Sequence, residues 1–182
     1  TKREDDPIVD LAQQAGGACF RGSELDVLDR YYQAAKEAKA NIVIRVTGDC
    51  PLSDPGVIDE TIEYFLKHRE ELDYTSKPTN YPEGLDMEIF PFSVLERAWK
   101  EGVKPSEREH VTPYMYTHPE IFRTRTWQSG VGDFSEMHWS VDTPEDFAFV
   151  TKIFEALHPA KQFFTKDDVL ALLSNDPKLL AM

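Results

Sequence analysis

The sequence has few basic residues and almost no cysteine. Its 20 lysines and arginines stand against 33 aspartates and glutamates, which gives a formal net charge of −13 at pH 7. Because nucleic acids are polyanions, this balance argues against a nucleic-acid surface. The two cysteines, Cys19 and Cys50, show no metal-ligand spacing and indicate a reducing compartment rather than a disulfide scaffold.

The sequence also lacks a run of eighteen apolar residues and a recognisable signal peptide, so no membrane partner is expected. With 41% hydrophobic residues, the chain is predicted to be globular and cytoplasmic, with one domain over residues 1–182. Small anionic ligands are compatible with the net charge, because a bound metal and a few local arginines can outweigh it.

The stretch 41–47 is predicted to be a strand buried on both faces, because its apolar residues leave almost no polar side. Helical patterns lie on both sides of it, the first beginning near a predicted N-cap at Ser23. Alternating helices and strands predict an α/β fold, a three-layer arrangement with mostly parallel strands flanked by helices.

Two aspartates follow predicted strands. Asp49 comes just after the strand 41–47, and Asp142 ends a short strand that begins at His138. If both strands lie in one parallel sheet, the carboxylates converge at one edge, where a single Mg²⁺ could bridge them and a triphosphate. The alternative is that Asp49 merely caps the turn before Pro51. Thr143 and Thr165 are predicted N-caps of the last two helices, each with an aspartate three residues later.

The stretch 85–90 alternates apolar and acidic residues. This period places Asp86 and Glu88 on one face of a strand and Leu85, Met87 and Ile89 on the other. The carboxylates could belong to a ligand site, or they could be the solvated side of an ordinary edge strand.

Five ordered motifs carry a resemblance to a known family. They are RGSELDVLDRYY (21–32), RVTGDCPL (45–52), YPEGLDMEIF (81–90), SEREHVTPY (106–114) and WSVDTPEDF (139–147). In order and spacing the chain resembles cytidylyltransferases of the spore coat polysaccharide biosynthesis protein F type, which are similar to the synthetases of CMP-KDO and CMP-sialic acid. The resemblance implies a nucleotide-diphospho-sugar transferase (glycosyltransferase-A-like) fold. It also implies transfer of a nucleotide from CTP to a sugar or sugar acid in surface or spore-coat polysaccharide biosynthesis.

The resemblance also implies roles for particular residues. Asp49 and Asp142 match the catalytic metal aspartates, with Mg²⁺ as the cofactor. The segment near the nucleotide base and ribose contains Arg21, Gly22, Ser23, Asp26 and Arg30. The segments that face the acceptor sugar contain Gly84, Asp86, Glu88, Glu109 and His110. His110 could serve as a base or hydrogen-bond donor, or it could be a packed helix histidine.

One departure from the family pattern concerns the phosphate-binding loop. Family members begin with a strand and an Arg-rich, Gly-containing loop around the triphosphate, and no such motif occurs here. We therefore expect a chain that lacks the first strand, releases little pyrophosphate on its own, and exposes apolar surface that a homodimer would cover. Two other classes remain open: a metal-dependent glycosyltransferase on a related fold, and a non-catalytic binding or scaffold protein.

Overall fold

Eight α-helices and four β-strands make up the part of the chain that the computed structural model describes, residues 3–181. The helices are α1 (Asp6–Gln14), α2 (Val27–Glu37), α3 (Pro55–His68), α4 (Phe92–Glu101), α5 (Pro105–His110), α6 (Pro113–Tyr116), α7 (Pro144–Leu157) and α8 (Lys166–Asn175). The strands are β1 (Ile42–Val46), β2 (Tyr74–Ser76), β3 (Met87–Pro91) and β4 (Thr124–Arg125). Short 3-10 turns cover Arg3–Asp5 and Leu179–Ala181. The predicted α/β class is confirmed.

The four strands form one sheet in the order β1-β3-β2-β4. The expectation of mostly parallel strands is wrong: β2 and β3 pair antiparallel, with Thr75 opposite Ile89, and the sheet is mostly not parallel. The chain between β2 and β3 contains no helix. Parallel neighbours need a long crossover, usually helical, whereas antiparallel neighbours can be joined directly.

Strand β1 is correctly placed by its apolar run, but its predicted burial on both faces is wrong. Ile42, Ile44 and Val46 are 38%, 41% and 36% exposed, while Val43 and Arg45 on the other face are half-buried. One face of the strand is therefore open, and the strand lies at an edge of the sheet rather than at its centre.

The chain divides into two compact units. Among the described residues, the first comprises 3–43 and 90–124 and is mainly helical, with α2 packed against α4 and α5. The ring of Tyr32 stacks between Phe92 and Trp99, with ring centroids 5.7 and 4.1 Å away. The N-cap of α2 is Asp26 rather than the predicted Ser23. The Asp26 carboxylate accepts the N–H of Asp29, and the Ser23 hydroxyl accepts the N–H of Asp26.

The second unit comprises residues 44–89 and 125–181 and contains most of the sheet. Its main core joins α3, α7 and α8 to two loops. The buried members are Leu52, Val57, Tyr81, Leu85, Trp139, Val150, Ile153, Val169 and Leu173. Because Leu85 and Trp139 are almost wholly buried, the core holds the loops on either side of the candidate site in place.

Both predicted caps in the second unit are confirmed. The Thr143 and Thr165 hydroxyls accept N–H bonds from Asp146 and Asp168, and each aspartate accepts an N–H bond in return. The prediction of a strand that ends at Asp142 is wrong. His138 makes a single parallel bridge with Glu83, and no strand forms between His138 and Asp142. No helix in residues 3–181 is both long and apolar enough to cross a bilayer.

The Asp168 cap predicts a pH-dependent contribution to stability. Hydrogen bonds from Lys161 and from the Thr165 backbone and hydroxyl lower the pKa of Asp168 from 3.8 to about 2. A carboxyl whose pKa is lower in the folded than in the unfolded state stabilises the fold at pH values above the pKa of the unfolded state. That contribution is lost as the pH falls through the pKa of the folded state. Asp168→Asn should therefore lower the thermal midpoint at neutral pH, and the gap to the parent should close as the pH falls towards about 2. Ser174→Ala, near the other end of α8, is the control that should leave this pH profile unchanged.

Candidate active site

A cavity of about 390 Å³ lies in the second unit, beside the ends of β1 and β3. It is lined by Arg45, Thr47, Asp49, Cys50, Tyr74, Ser76, Glu83, Asp86, Met87, Glu88, Ser140 and Asp142. Five of these side chains are carboxylates and one is a guanidinium, so the lining is strongly acidic. Its volume lies within the range of small-molecule sites.

Asp49 and Asp142 both line this cavity. They are brought together by a backbone hydrogen bond of 2.8 Å, in which the N–H of Val141 donates to the carbonyl oxygen of Asp49. Strand β1 leads into Asp49, and the capped start of α7 follows Asp142 directly. Each aspartate is thus fixed by the element next to it in sequence, and both carboxylates are exposed to solvent.

The Asp49 carboxyl is held in its charged form. Its pKa is lowered chiefly by a hydrogen bond from the Thr47 hydroxyl, against the opposing effect of partial burial. The neighbouring Cys50 thiol lies 3.3 Å from the Thr47 hydroxyl oxygen, and burial raises its pKa. A thiol that stays protonated is a poor nucleophile, so Asp49 rather than Cys50 is the candidate functional group at this position.

Asp142 ends a chain of hydrogen-bonded side chains. The Ser140 hydroxyl donates to Oδ2 of Asp142 at 3.1 Å and lies 3.2 Å from Nε2 of His138. Nδ1 of His138 lies 3.1 Å from Oε2 of Glu83. The Glu83 hydrogen bond is the main reason why the pKa of His138 is raised.

The same cavity is also lined by an ion pair. Nη1 of Arg45 donates to Oε2 of Glu88 at 2.5 Å, and the Tyr74 hydroxyl donates to Oε1 of Glu88 at 2.6 Å. Asp86 accepts the N–H of Gly84 at 2.7 Å and lies 3.5 Å from Nζ of Lys77. Asp86 and Glu88 therefore share the cavity with Asp49 and Asp142, while Met87 and Ile89 are buried.

Gly84 occupies a position that other residues cannot take without strain. Its φ is +93°, and a Cβ there would lie 2.4 Å from the backbone N of Ser140 and from the carbonyl carbon of Trp139. The close approach lets the N–H of Trp139 donate to the carbonyl of Glu83 at 2.8 Å. Gly84 thus keeps the two loops that carry Glu83 and Ser140 in contact.

The residues expected near the nucleotide lie in the first unit. Arg21, Gly22 and Arg30 line a cavity of about 290 Å³, and Arg30 donates to the Ser23 carbonyl at 3.1 Å. Burial alone would raise the pKa of Asp26, but hydrogen bonds from Arg108 at 2.6 Å and from the backbone of α2 lower it on balance. Asp26 therefore has a structural role as cap and ion-pair partner, whatever else it binds.

Glu109 and His110 are exposed at the end of α5 in the first unit and are not among the residues that line the 390 Å³ cavity. A strained turn follows them: Val111 is fully buried with φ +74° and ψ −55°, and the N–H of Thr112 bonds the carbonyl of His110 at 2.9 Å. A β-branched residue rarely adopts this γ-turn geometry, which costs about 1–3 kcal/mol. Such strain is typical of positions where a functional segment needs one defined conformation.

Several residues of the candidate site were not predicted from the sequence. Arg45, Tyr74, Glu83 and Ser140 line the cavity, and His138 does not line it but lies within hydrogen-bond distance of Glu83 and Ser140. A signal existed for some of them. Arg45, Thr47 and Asp49 alternate along one stretch, as do His138, Ser140 and Asp142, and residues two apart in extended chain point to the same side. Tyr74 had no such signal, because its role depends on the pairing of β2 with β3.

The chain belongs to the cytidylyltransferase family, whose model matches residues 3–175. It is 46% identical over 122 residues to the uncharacterized protein MJ1063 of Methanocaldococcus jannaschii, an alignment that covers 67% of this chain and 49% of that protein. It is 25% identical over 178 residues to spore coat polysaccharide biosynthesis protein SpsF of Bacillus subtilis, covering 97% of this chain and 72% of that protein. The chain thus spans about half the length of the archaeal relative.

Solved structures agree with this assignment. A cytidylyltransferase from Leptospira borgpetersenii superposes with a TM-score of 0.90 at 29% identity, covering 98% of this chain and 74% of that one. CMP:2-keto-3-deoxy-manno-octonic acid synthetase, solved in complex with CTP, superposes with a TM-score of 0.57 at 15% identity, covering 83% and 78% of the two chains. At that identity the second likeness shows the fold alone. The predicted resemblance to SpsF-type cytidylyltransferases and the predicted fold type are confirmed.

The close approach of Gly84 to the backbone of Trp139 and Ser140 predicts how a substitution at this position affects stability. Gly84→Ala should lower the free energy of unfolding by about 2–4 kcal/mol, because the new Cβ both disfavours the positive φ and meets the backbone of Trp139 and Ser140. Urea denaturation measures this change. Gly48→Ala is the matched control, since Gly48 has no positive φ and a Cβ there meets nothing within 4 Å. A Gly84→Ala protein as stable as this control would contradict the prediction.

Proposed function

We propose that the protein transfers the CMP group of CTP to a sugar or sugar acid, with release of pyrophosphate, in the biosynthesis of a surface polysaccharide. Membership of the cytidylyltransferase family supports the nucleotide chemistry, and the relative named for spore coat polysaccharide biosynthesis supports the pathway class. The observation that carries the proposal is that Asp49 and Asp142, the two aspartates matched to the family's metal ligands, line one cavity.

The donor set of this cavity fits a hard divalent cation. Mg²⁺ prefers oxygen ligands and is commonly held by one or two carboxylates together with phosphate and water. Asp49 is kept ionised by the Thr47 hydroxyl, and no described residue donates a hydrogen bond to Oδ1 of Asp142. Asp49 and Asp142 would therefore hold the cation. When bound, it would offset negative charge on the α-phosphate and the leaving pyrophosphate.

The remaining cavity residues are proposed to hold the acceptor. Asp86 can accept hydrogen bonds from sugar hydroxyls, and Glu88 keeps Arg45 and Tyr74 in fixed positions through two short hydrogen bonds. An acceptor oxygen held there would attack the α-phosphorus as the bond to the β-phosphate oxygen breaks. The acceptor's proton would pass to water or to a cavity carboxylate. Orientation of the two reactants is the main contribution of these residues.

The first unit is proposed to bind the nucleoside. Arg21, Gly22 and Arg30 line one cavity there, and Ser23 and Asp26 shape the loop and helix start beside it. Glu109 and His110 are proposed to face the acceptor, and the strained backbone at Val111 supports a functional role for this segment.

The cation proposal predicts the effect of removing either carboxylate. Asp49→Asn and Asp142→Asn should each weaken binding of Mn²⁺–CTP by at least about tenfold, because each removes a charged oxygen ligand. Isothermal titration of the 182-residue chain measures this affinity. Asp59→Asn is the matched control, since Asp59 is exposed on α3 and does not line the cavity.

The same titration separates the proposal from the alternatives. A cytidylyltransferase should bind CTP in preference to UTP and to UDP-sugars, whereas a glycosyltransferase should prefer a nucleotide-sugar donor. Equal affinity of the parent, Asp49→Asn and Asp142→Asn proteins for Mn²⁺–CTP would contradict the metal site. Absence of any nucleotide binding would favour the binding or scaffold class.

The acceptor proposal predicts a selective kinetic defect. In a longer form of the protein that carries the family's phosphate-binding loop, Asp86→Asn should lower kcat/KM for the acceptor by about 10–100-fold, since a hydrogen bond to a charged acceptor is worth about 1.5–3 kcal/mol. The KM for CTP and the thermal midpoint should hardly change, because the asparagine carbonyl can still accept the N–H of Gly84. Separate titrations of CTP and acceptor distinguish the two effects, with Glu63→Gln on α3 as the control. An unchanged acceptor KM and kcat would place Asp86 among ordinary solvated carboxylates.

A further inference from the structure

Three side chains form a continuous path to Asp142. Oε2 of Glu83 lies 3.1 Å from Nδ1 of His138, Nε2 of His138 lies 3.2 Å from the Ser140 hydroxyl, and that hydroxyl donates to Oδ2 of Asp142 at 3.1 Å. Nε2 of His138 also lies 3.6 Å from the same Asp142 oxygen. Every link is within hydrogen-bond or ion-pair distance, so the path has no gap.

The path is fixed to a rigid backbone. The N–H of Glu83 donates to the carbonyl of Met137 at 3.0 Å, and the N–H of Trp139 donates to the carbonyl of Glu83 at 2.8 Å. Trp139 is 1% exposed and Ser140 is 5% exposed. The strand-like pairing on both sides of Glu83 therefore sets where His138 and Ser140 lie, independently of any ligand.

This arrangement determines which oxygen of Asp142 is offered to the cavity. The Ser140 hydroxyl engages Oδ2, and no described residue donates to Oδ1. Rotation of the carboxylate would break the bond from Ser140, so Oδ1 is the oxygen available to a cation. Partners of this kind, which orient a ligand without touching the metal, typically change metal affinity by about 10–100-fold when removed.

A direct ligand role for His138 is the competing explanation. One ligand atom each from His138, Asp142 and Asp146 lie within 4.8 Å of one another. However, Oδ2 of Asp146 already accepts the backbone N–H groups of Asp142 and Thr143, at 3.1 and 2.8 Å, as part of the helix cap. The geometry therefore favours orientation of Asp142 by its neighbours over a three-ligand site that includes Asp146.

We propose that His138 and Ser140, with Glu83 behind them, are positioning residues that orient the Asp142 carboxylate for the catalytic cation. This inference rests on the proposed function, because it takes Asp142 as a ligand of that cation. It assigns a role to His138, which lies outside the quoted motifs, and to Glu83 and Ser140, which lie within them but had no role assigned.

The test uses Mn²⁺ alone as the probe on the 182-residue chain, with free Mn²⁺ followed by electron paramagnetic resonance. His138→Gln and Ser140→Ala should each lower Mn²⁺ affinity by about tenfold or more. His158→Gln, the same change at the C-terminal end of α7, is the control and should bind like the parent protein. Circular dichroism and the thermal midpoint without metal should match the parent in all three variants, which separates orientation from loss of fold.

The two variants exclude different explanations. A fall in the affinity of His138→Gln indicates either lost orientation of Asp142 or a lost ligand. Ser140 is neutral, so a fall in Ser140→Ala supports orientation. If His138→Gln weakens binding and Ser140→Ala does not, direct ligation is correct and the proposal is overturned.

Asp142→Asn in the same assay separates this inference from the proposed function. If Asp142→Asn loses Mn²⁺ affinity while His138→Gln and Ser140→Ala retain it within about twofold, the positioning role fails and the metal site stands. If the parent binds no Mn²⁺, or Asp142→Asn binds as the parent does, the metal site itself fails and the positioning role fails with it.

Discussion

The candidate site depends on one backbone hydrogen bond, from the N–H of Val141 to the carbonyl of Asp49. This bond joins the loop that follows β1 to the residue before Asp142, and the two segments are far apart in the sequence. Each side of this bond is fixed by different forces: Asp49 by β1, and Asp142 by the capping box and buried face of α7. The cavity between them thus exists because the core of α3, α7 and α8 holds the second loop against the first.

The charge of the cavity explains why a cation belongs to the proposed chemistry. Among the described residues that line it, five carboxylates surround one guanidinium, and Arg45 is already engaged by Glu88. Like charges a few Å apart repel strongly where solvent is partly excluded, so a triphosphate would be repelled by this lining. A divalent cation between Asp49 and Asp142 would neutralise these two carboxylates and present positive charge directly to the phosphate oxygens. The overall acidity of the chain and the binding of an anionic substrate are therefore compatible.

Local sequence patterns predicted most of the helices and the caps at Thr143 and Thr165, because hydrophobic period and capping chemistry are properties of a few neighbouring residues. They did not predict the antiparallel pairing of β2 with β3 or the open face of β1, because both depend on which distant elements pack beside each strand in the folded protein. Asp49 was identified from the end of its strand and from a motif, whereas Asp142 was identified correctly only from its motif, because the strand predicted before it does not form. The link from Glu83 to His138 could not be predicted, because these side chains are close only after the two loops meet at Gly84, whereas His138, Ser140 and Asp142 already alternate in the sequence.

The structure also bears on whether such a chain is an enzyme or a scaffold. Gly84 is held at a positive φ against the backbone of Ser140, and the buried Val111 adopts a strained turn beside Glu109 and His110. Five carboxylates share one cavity, an arrangement whose oxygen donors suit a bound cation. The turn at Val111 lowers the stability of the fold, and backbone strain of this kind concentrates at sites where ligands are bound or transformed. A surface that served only as a scaffold would require neither this strain nor a cavity lined by five carboxylates, so the two observations favour the proposed nucleotide chemistry over the scaffold class.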